Sequence, residues 1–315
     1  MISRRLIRIK ILQILYAYYN TSNPSLKNAE KEFHHSINRT YYLYFYIIDL
    51  LIELQKYAER KIEAAKQKKV PAYEDLHPNT KFSENQVIHY LRADARLNDF
   101  LQQHKISWAN HQDFIKKIFE TLVHSEHYIS YMESEKDDFQ EDKRFINKFL
   151  SKDIIFNEEF YNILEDISIY WNDEIDFIIS MLTNNIRKIN PTNGNNMILP
   201  VYKNEEDKEY AITLLRKSII HYGEYKKLVD EATTNWDIER IAFMDVLIMI
   251  MAITEILEFQ SIPVKVSFNE YIEVSKLYST NSSSNFINGI LDKIIQKLRK
   301  ENRITKTGRG LIGEV

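Results

Sequence analysis

The scarcity of glycine constrains this chain more than any other feature. Only six occur in 315 residues, at 194, 223, 289, 308, 310 and 313, and the last three crowd the C-terminal tail. Tight hairpin turns depend on glycine, so a chain this poor in it favours helices over sheets. The body also lacks the clustered glycines with which a P-loop or dinucleotide fingerprint lets backbone approach phosphate. No cysteine is present, which excludes disulfide scaffolds, thiolate zinc sites, iron–sulfur clusters and cysteine nucleophiles. That absence suits a reducing, cytoplasmic setting. The net charge of -3 leaves room for a local basic patch.

Apolar periodicity and turn residues predict an all-α protein. One helix is expected over 3–20, ended by NTSNPS, and one or two over 27–66 around the Tyr-rich stretch YYLYFYIIDLLIEL. KQKKVPAYEDLHPNTKF reads as an exposed linker, and 84–187 is helical again in several pieces. NPTNGNNMILP is the clearest break. Four helices are expected beyond it, at about 205–232, 236–259, 267–279 and 283–301. These breaks divide the chain into a first helix (1–26), a central helical region (27–204), a C-terminal helical stretch (205–301) and a flexible basic tail (302–315).

No membrane span is expected. IAFMDVLIMIMAITEIL is apolar all round but short of the roughly 20 residues a span needs, and it contains Asp245 and Glu255. A buried central helix of a bundle gives the same pattern. The opening MISRRLIRIKILQILYAYYN is not read as a signal peptide, because Lys10 and Gln13 interrupt its apolar part. Arg4, Arg5 and Arg8 fall within an arc of about 100°, with Leu12, Leu15 and Tyr16 further along the same side. Such a helix can bury its C-terminal half and present a cationic patch from its first turns.

Residues 236–294 carry the specific signal. Asp245 and Glu255 lie in one helix, and Ile262-Pro263 form a turn. Val266, Asn269, Glu270, Glu273 and Lys276 share the next helix, and Phe286, Asn288, Gly289, Leu291, Asp292 and Lys293 the last. At the other end stand Arg5, Arg8, Gln13, Leu15 and Tyr16. This constellation resembles the NusB family of bacterial transcription antitermination factors, over about 1–20 and 205–298. The fold expected is therefore a NusB-like helical bundle with an additional helical insertion.

Most of the matched residues read as structural. Pro263 suits a turn or helix start, Asn269 and Asn288 are expected to satisfy buried backbone groups, and Gly289 implies close helix packing. Glu273 and Lys276 form an i,i+3 pair.

The resemblance implies an RNA-binding protein rather than an enzyme. It would bind single-stranded, boxA-type RNA of nascent ribosomal transcripts together with the ribosomal protein NusE, within the transcription elongation complex. On this reading Arg4, Arg5, Arg8 and Lys10 form the RNA patch, and Tyr16, Tyr18 and Phe286 offer stacking surfaces. Four phosphate contacts would give a log–log salt slope of roughly -3. Asp245 and Ser282 fall at the partner-facing positions. The chain departs from the family pattern at Leu6, Val246 and Ile250, where the family has arginine, and at Ser282, where it has an acid. The basic residues between Lys293 and Arg309 could supply RNA contacts instead.

The insertion contains no motif with an evident mechanism. Glu120, His124 and His127 have i, i+4, i+7 spacing, but a di-iron bundle needs paired Glu-x-x-His motifs and further glutamates. No metal or cofactor is therefore expected. The alternative to RNA binding is a helical protein-interaction scaffold on the same fold with little RNA affinity. NusB-like domains also occur attached to RNA methyltransferases, an activity that the missing glycine-rich loop and missing cysteine argue against.

Overall fold

In the computed structural model, residues 2–190, 198–233 and 241–313 are described. All regular elements among them are helical. In chain order they are α1 (Arg4–Asn20), α2 (Leu26–Lys66), α3 (Tyr73–Leu76), α4 (Gln86–Arg92), α5 (Ala95–Gln103), α6 (Gln112–Val123), α7 (Glu126–Glu133) and α8 (Phe139–Phe149). There follow α9 (Glu158–Ile167), α10 (Ile175–Lys188), α11 (Glu205–Ile220), α12 (Tyr222–Ala232), α13 (Phe243–Glu258), α14 (Val264–Tyr278) and α15 (Asn281–Lys300). The chain divides into two compact units, one of residues 1–37 with 201–315 and the other of residues 38–200.

The first unit is organised around α13, which packs against α1, α11, α12, α14 and α15. Eleven of its sixteen residues are buried. The apolar run is thus the central helix its composition suggested, and among the described residues no helix is long and apolar enough to cross a membrane. Local sequence sets the helix ends. Ser3 caps α1 by accepting from the Leu6 amide, and Asn204 caps α11 by accepting from the Asp207 amide. Glu205, Glu206 and Asp207 then complement the positive end of the α11 dipole. Pro263 occupies the N-cap of α14 at φ -60°.

Several expectations need correction. The helix predicted over 205–232 breaks at His221 into α11 and α12, and the one predicted from 236 begins at Phe243, with 234–240 outside the described residues. Most of the expected break at 190–200 also lies outside them. The insertion does not begin at 27: the first turns of α2 belong to the first unit, where Ala29, Phe33 and Ile37 are buried and Arg216 pairs with Glu30. Asn269, Asn288 and Gly289 are exposed rather than packed, and a Cβ added at Gly289 would meet nothing within 4 Å. A helical wheel identifies residues on one face but not which face finds a neighbour. The Glu273–Lys276 pair does form, at 2.6 Å.

The tail is placed as well, through residue 313. Lys306 Nζ donates to the Ile256 and Phe259 carbonyls at 2.8 and 2.9 Å, and the Thr307 amide donates to the Gln260 carbonyl. Gly310 approaches that same carbonyl so closely that a Cβ would lie 1.9 Å from it. Lys306, one of the basic residues that suggested a free arm, thus acts as a hydrogen-bond donor to the C-terminal end of α13.

In the second unit the remainder of α2 supplies Tyr44, Phe45, Ile47, Ile48 and Leu51 to the core. Two buried tryptophans anchor loops to it: Trp108 Nε1 donates to the Tyr46 carbonyl at 2.8 Å and Trp171 Nε1 to the Arg39 carbonyl at 2.7 Å. Asn85, Asp94, Ser125, Asp138 and Asn157 each cap a helix with a side-chain oxygen. The acidic stretch over residues 132–144 is mostly exposed, but it buries Asp142, which accepts from the Tyr131 hydroxyl and the Gln86 amide. The expected linker keeps Val70 and Tyr73 exposed but ends in the buried Phe82.

Candidate nucleic-acid interface

The basic first turns of α1 meet carboxylates from three other helices. Arg4 donates from Nε to Asp207 and from Nη2 to Glu206, both at 2.7 Å, and its guanidinium lies 4.8 Å from the Tyr210 ring centre. Arg5 makes a two-pronged pair with Glu270 at 3.0 and 2.7 Å. Arg8 does the same with Glu255 at 2.8 and 2.7 Å, and reaches Glu270 at 3.2 Å. Planar forks of this kind are the strongest form of arginine–carboxylate pairing.

Exposure separates the four expected RNA-binding cations. The Arg4 and Arg5 side chains keep 28% and 39% of their surface, whereas Arg8 keeps 3%. Lys10 is buried. Arg8 and Lys10 thus do not project from the surface as the sequence suggested. Arg8 lies under α1 because the bundle places the carboxylate of Glu255 on α13 directly opposite.

Glu255 is the centre of this arrangement. Besides Arg8 it accepts from the Tyr210 hydroxyl at 2.5 Å, Ser267 Oγ at 2.8 Å and the Tyr271 hydroxyl at 3.1 Å. Burial by itself would raise its carboxyl pKa, but the Arg8 guanidinium and the hydroxyl donors hold it below the ordinary carboxylate range. Burial, followed by the nearby Glu255 charge, keeps the Tyr210 and Tyr271 phenols protonated well beyond their usual pH. The cluster ties α1, α11, α13 and α14 together.

Toward the C-terminal end of α1 the surface becomes aromatic. Tyr16 is 44% exposed, with its ring 5.9 Å from that of Phe243. Tyr19 meets Phe243 at 6.3 Å and Tyr222 at 4.2 Å. Tyr18 is half-buried beside Tyr19, and Phe286 is half-buried on α15. Arg4, Arg5 and Tyr16 therefore share one accessible helix, whose Arg5-to-Tyr16 span is about 16 Å at 1.5 Å per residue. Tyr19, Tyr222 and Phe243 were missed in the sequence. Only the density of Tyr near residue 20 hinted at them.

The expected partner-facing residues are placed differently. Asp245 is buried and accepts a hydrogen bond from Ser279 Oγ, so it fixes the loop before α15 rather than facing outward. Ser282 stands in the first turn of α15, but its side chain lies outside the described residues. In the tail region, Lys293 donates to the Ala232 carbonyl, Lys297 pairs with Glu231 and Arg303 with Glu224.

Glu120, His124 and His127 do not share a helix. α6 ends at Val123 and α7 begins at Glu126, so the regular spacing is interrupted. His127 instead pairs with Asp153 at 2.8 Å. Among the described residues no group of three His, Asp or Glu side chains stands together as a metal site would require.

Comparison with known proteins agrees with the geometry of the first unit. The family model described as NusB family matches residues 201–296. A protein named Transcription antitermination protein NusB from Salinibacter ruber is 39% identical over 115 residues, which is 36% of this chain and 72% of the relative. One of the same name from Alkaliphilus oremlandii is 37% identical over 93 residues, 30% of this chain and 67% of the relative. A third, from Chloroherpeton thalassium, is 35% identical over 105 residues and half of its own length. No solved structure matches the chain.

Proposed function

Because the chain belongs to the NusB family, we propose that it is a transcription antitermination factor that holds single-stranded, boxA-type RNA jointly with the ribosomal protein NusE. The observation that carries this reading is the 39% identity to a relative of that name over 72% of the relative's length. It is a binding protein in this reading, and no residue is assigned a catalytic step.

The RNA face comprises Arg4 and Arg5 for phosphate and Tyr16 with Phe286 for base stacking. Arg8 and Lys10 support α1 from beneath. With two phosphate contacts in place of four, the salt slope falls to about -1.4. Asp245 serves the NusE side indirectly, through Ser279, with Ser282 nearby. A second reading is a protein scaffold that captures NusE with little RNA affinity. It is favoured by Arg4 and Arg5 already being paired with Glu206, Asp207 and Glu270.

Fluorescence anisotropy with a boxA-type strand and a scrambled control, with and without NusE, at two salt concentrations, separates the two. The antitermination reading expects selective binding strengthened by NusE, and about tenfold weakening on Arg5→Ala or Tyr16→Ala. Capture of NusE without selective RNA binding would replace it with the scaffold.

A further inference from the structure

The second unit contains a cavity of about 590 Å³ between α2, α4, α5 and the loop after α5. That size lies in the range of small-molecule sites. Its walls include Ile52, Leu101 and Ile106, all nearly fully buried. Among these apolar side chains lies Asp49, 7% exposed. Asn98 lines the same wall, fixed by its Nδ2 bond to the Arg92 carbonyl at 2.9 Å.

A carboxylate against aliphatic walls is costly to keep ionised unless it is partnered. The Trp108 backbone amide and the charge of Lys56 offset part of that cost, but the two lining cations that precede α5 also serve other acids. Lys56 is bonded to Glu53 at 2.8 Å and Arg92 to Glu59 at 2.7 Å. Burial, and then the neighbouring Glu53, push the Asp49 carboxyl up to about 7. A group kept at such a cost on a cavity wall is a candidate for function.

Lys105 is a second, independent irregularity. It is exposed on the same cavity and has φ of +53°. It ends α5 with the Ile106 amide donating to the Leu101 carbonyl at 2.9 Å. Glycine or asparagine ordinarily takes that left-handed position. A lysine there places a positive charge at the mouth at the expense of backbone strain.

We propose that this cavity binds a guanine nucleotide. The two adjacent donors of the base edge, N1–H and N2–H, fit the two oxygens of the Asp49 carboxylate. The ring lies against Ile52, Leu101 and Ile106, and the phosphate is drawn to Lys105. The donor edge is chosen because an ionised carboxylate only accepts hydrogen bonds. The anionic end is chosen because Lys105 stands exposed at the mouth, while Lys56 and Arg92 pair with Glu53 and Glu59. The guanine can belong to a free nucleotide or to an RNA strand. The inference does not depend on boxA recognition.

The test is titration calorimetry of the full chain at pH 8 with GMP, guanosine and AMP. Saturable GMP binding is expected, with AMP at least tenfold weaker. Asp49→Asn should lose tenfold or more while circular dichroism reports an intact helical fold. Lys105→Gly, which relaxes the backbone, should weaken GMP several-fold and leave guanosine unchanged. GMP affinity should also rise about tenfold from pH 6 to 8 as Asp49 ionises. The other charged groups facing the cavity are Glu53 and Lys56 on α2, Arg92 on α4 and Lys105. The trinucleotide GpUpU distinguishes the sources: tighter binding than GMP assigns an RNA strand, and weaker binding a free nucleotide. Absence of saturable GMP binding, AMP binding as tight as GMP, or an unchanged Asp49→Asn would overturn the proposal.

Discussion

Glu255 in the first unit and Asp49 in the second are both withdrawn from water, at 0% and 7% exposure, yet their carboxyls shift in opposite directions. Glu255 has a guanidinium fork and three hydroxyl donors, and its pKa is lowered. Asp49 faces a cavity, where the Trp108 amide and a Lys56 shared with Glu53 offset less than its burial and the Glu53 charge add, and its pKa is raised. Burial is common to both, so partners decide the sign. A carboxylate saturated with donors fixes an architecture. One left short of them in a cavity is suited to receive a ligand.

The largest expected effect tests the saturated side. Arg8→Met should destabilise the protein by about 3–5 kcal/mol, because Glu255 would remain buried without its cation. Adding Glu255→Met should recover much of that loss in urea unfolding, since a buried ion pair and an apolar pair of similar volume differ little. If the double variant is no better than the single, the hydroxyl donors rather than the ion pair hold the four helices together.

Next comes the unsaturated side, through pH. The lowered Glu255 pKa contributes stability that is present above its unfolded value of 4.5 and is lost as pH falls below it. The raised Asp49 pKa works in reverse: its contribution is present below 3.8 and is lost as pH rises through about 7. Asp49→Asn should therefore stabilise the protein at pH 8, by at most about 4 kcal/mol, with the gain vanishing toward pH 4. Unfolding curves across pH 4–8 measure this. A gain that does not change with pH would mean that Asp49 is already neutral throughout, removing its contrast with Glu255.

The smallest effect concerns Gly289. It lies on the exposed side of α15, where a Cβ would meet nothing within 4 Å. Gly289→Ala should stabilise the chain by about 0.5–1 kcal/mol through helix propensity and a less disordered unfolded state. Thermal unfolding would register that gain. A loss instead would reveal packing on that face and return Gly289 to the structural class with Glu255.

The first unit was the more legible in the sequence. Asp245, Glu255, Pro263 and the Glu273–Lys276 pair sit at helix-compatible spacings, and the turn at Ile262-Pro263 marks the helix boundary. Distance along the chain hid the fate of the arginines: no wheel drawn on residues 3–20 can show that Arg8 faces a carboxylate 247 residues away. Asn288 and Gly289 misled for the same reason, since flanking apolar residues do not say which face is covered. The cavity in the second unit is assembled from α2, α4, α5 and a loop, none of which carries a motif. Its trace in the sequence was the two acids, Asp49 and Glu53, inside the otherwise apolar run YYLYFYIIDLLIEL.

The 247-residue separation also sets a clock. At about 5–20 residues per second of synthesis, Arg8 emerges roughly 12–50 s before Glu255 exists to receive it. The ends of α1 and α13 close only when nearly the whole chain has left the ribosome, whereas residues 38–200 are contiguous and complete long before. Through most of that interval Arg4, Arg5 and Arg8 lack their carboxylates, and Arg4 meets Glu206 and Asp207 before Glu255 is made for Arg8.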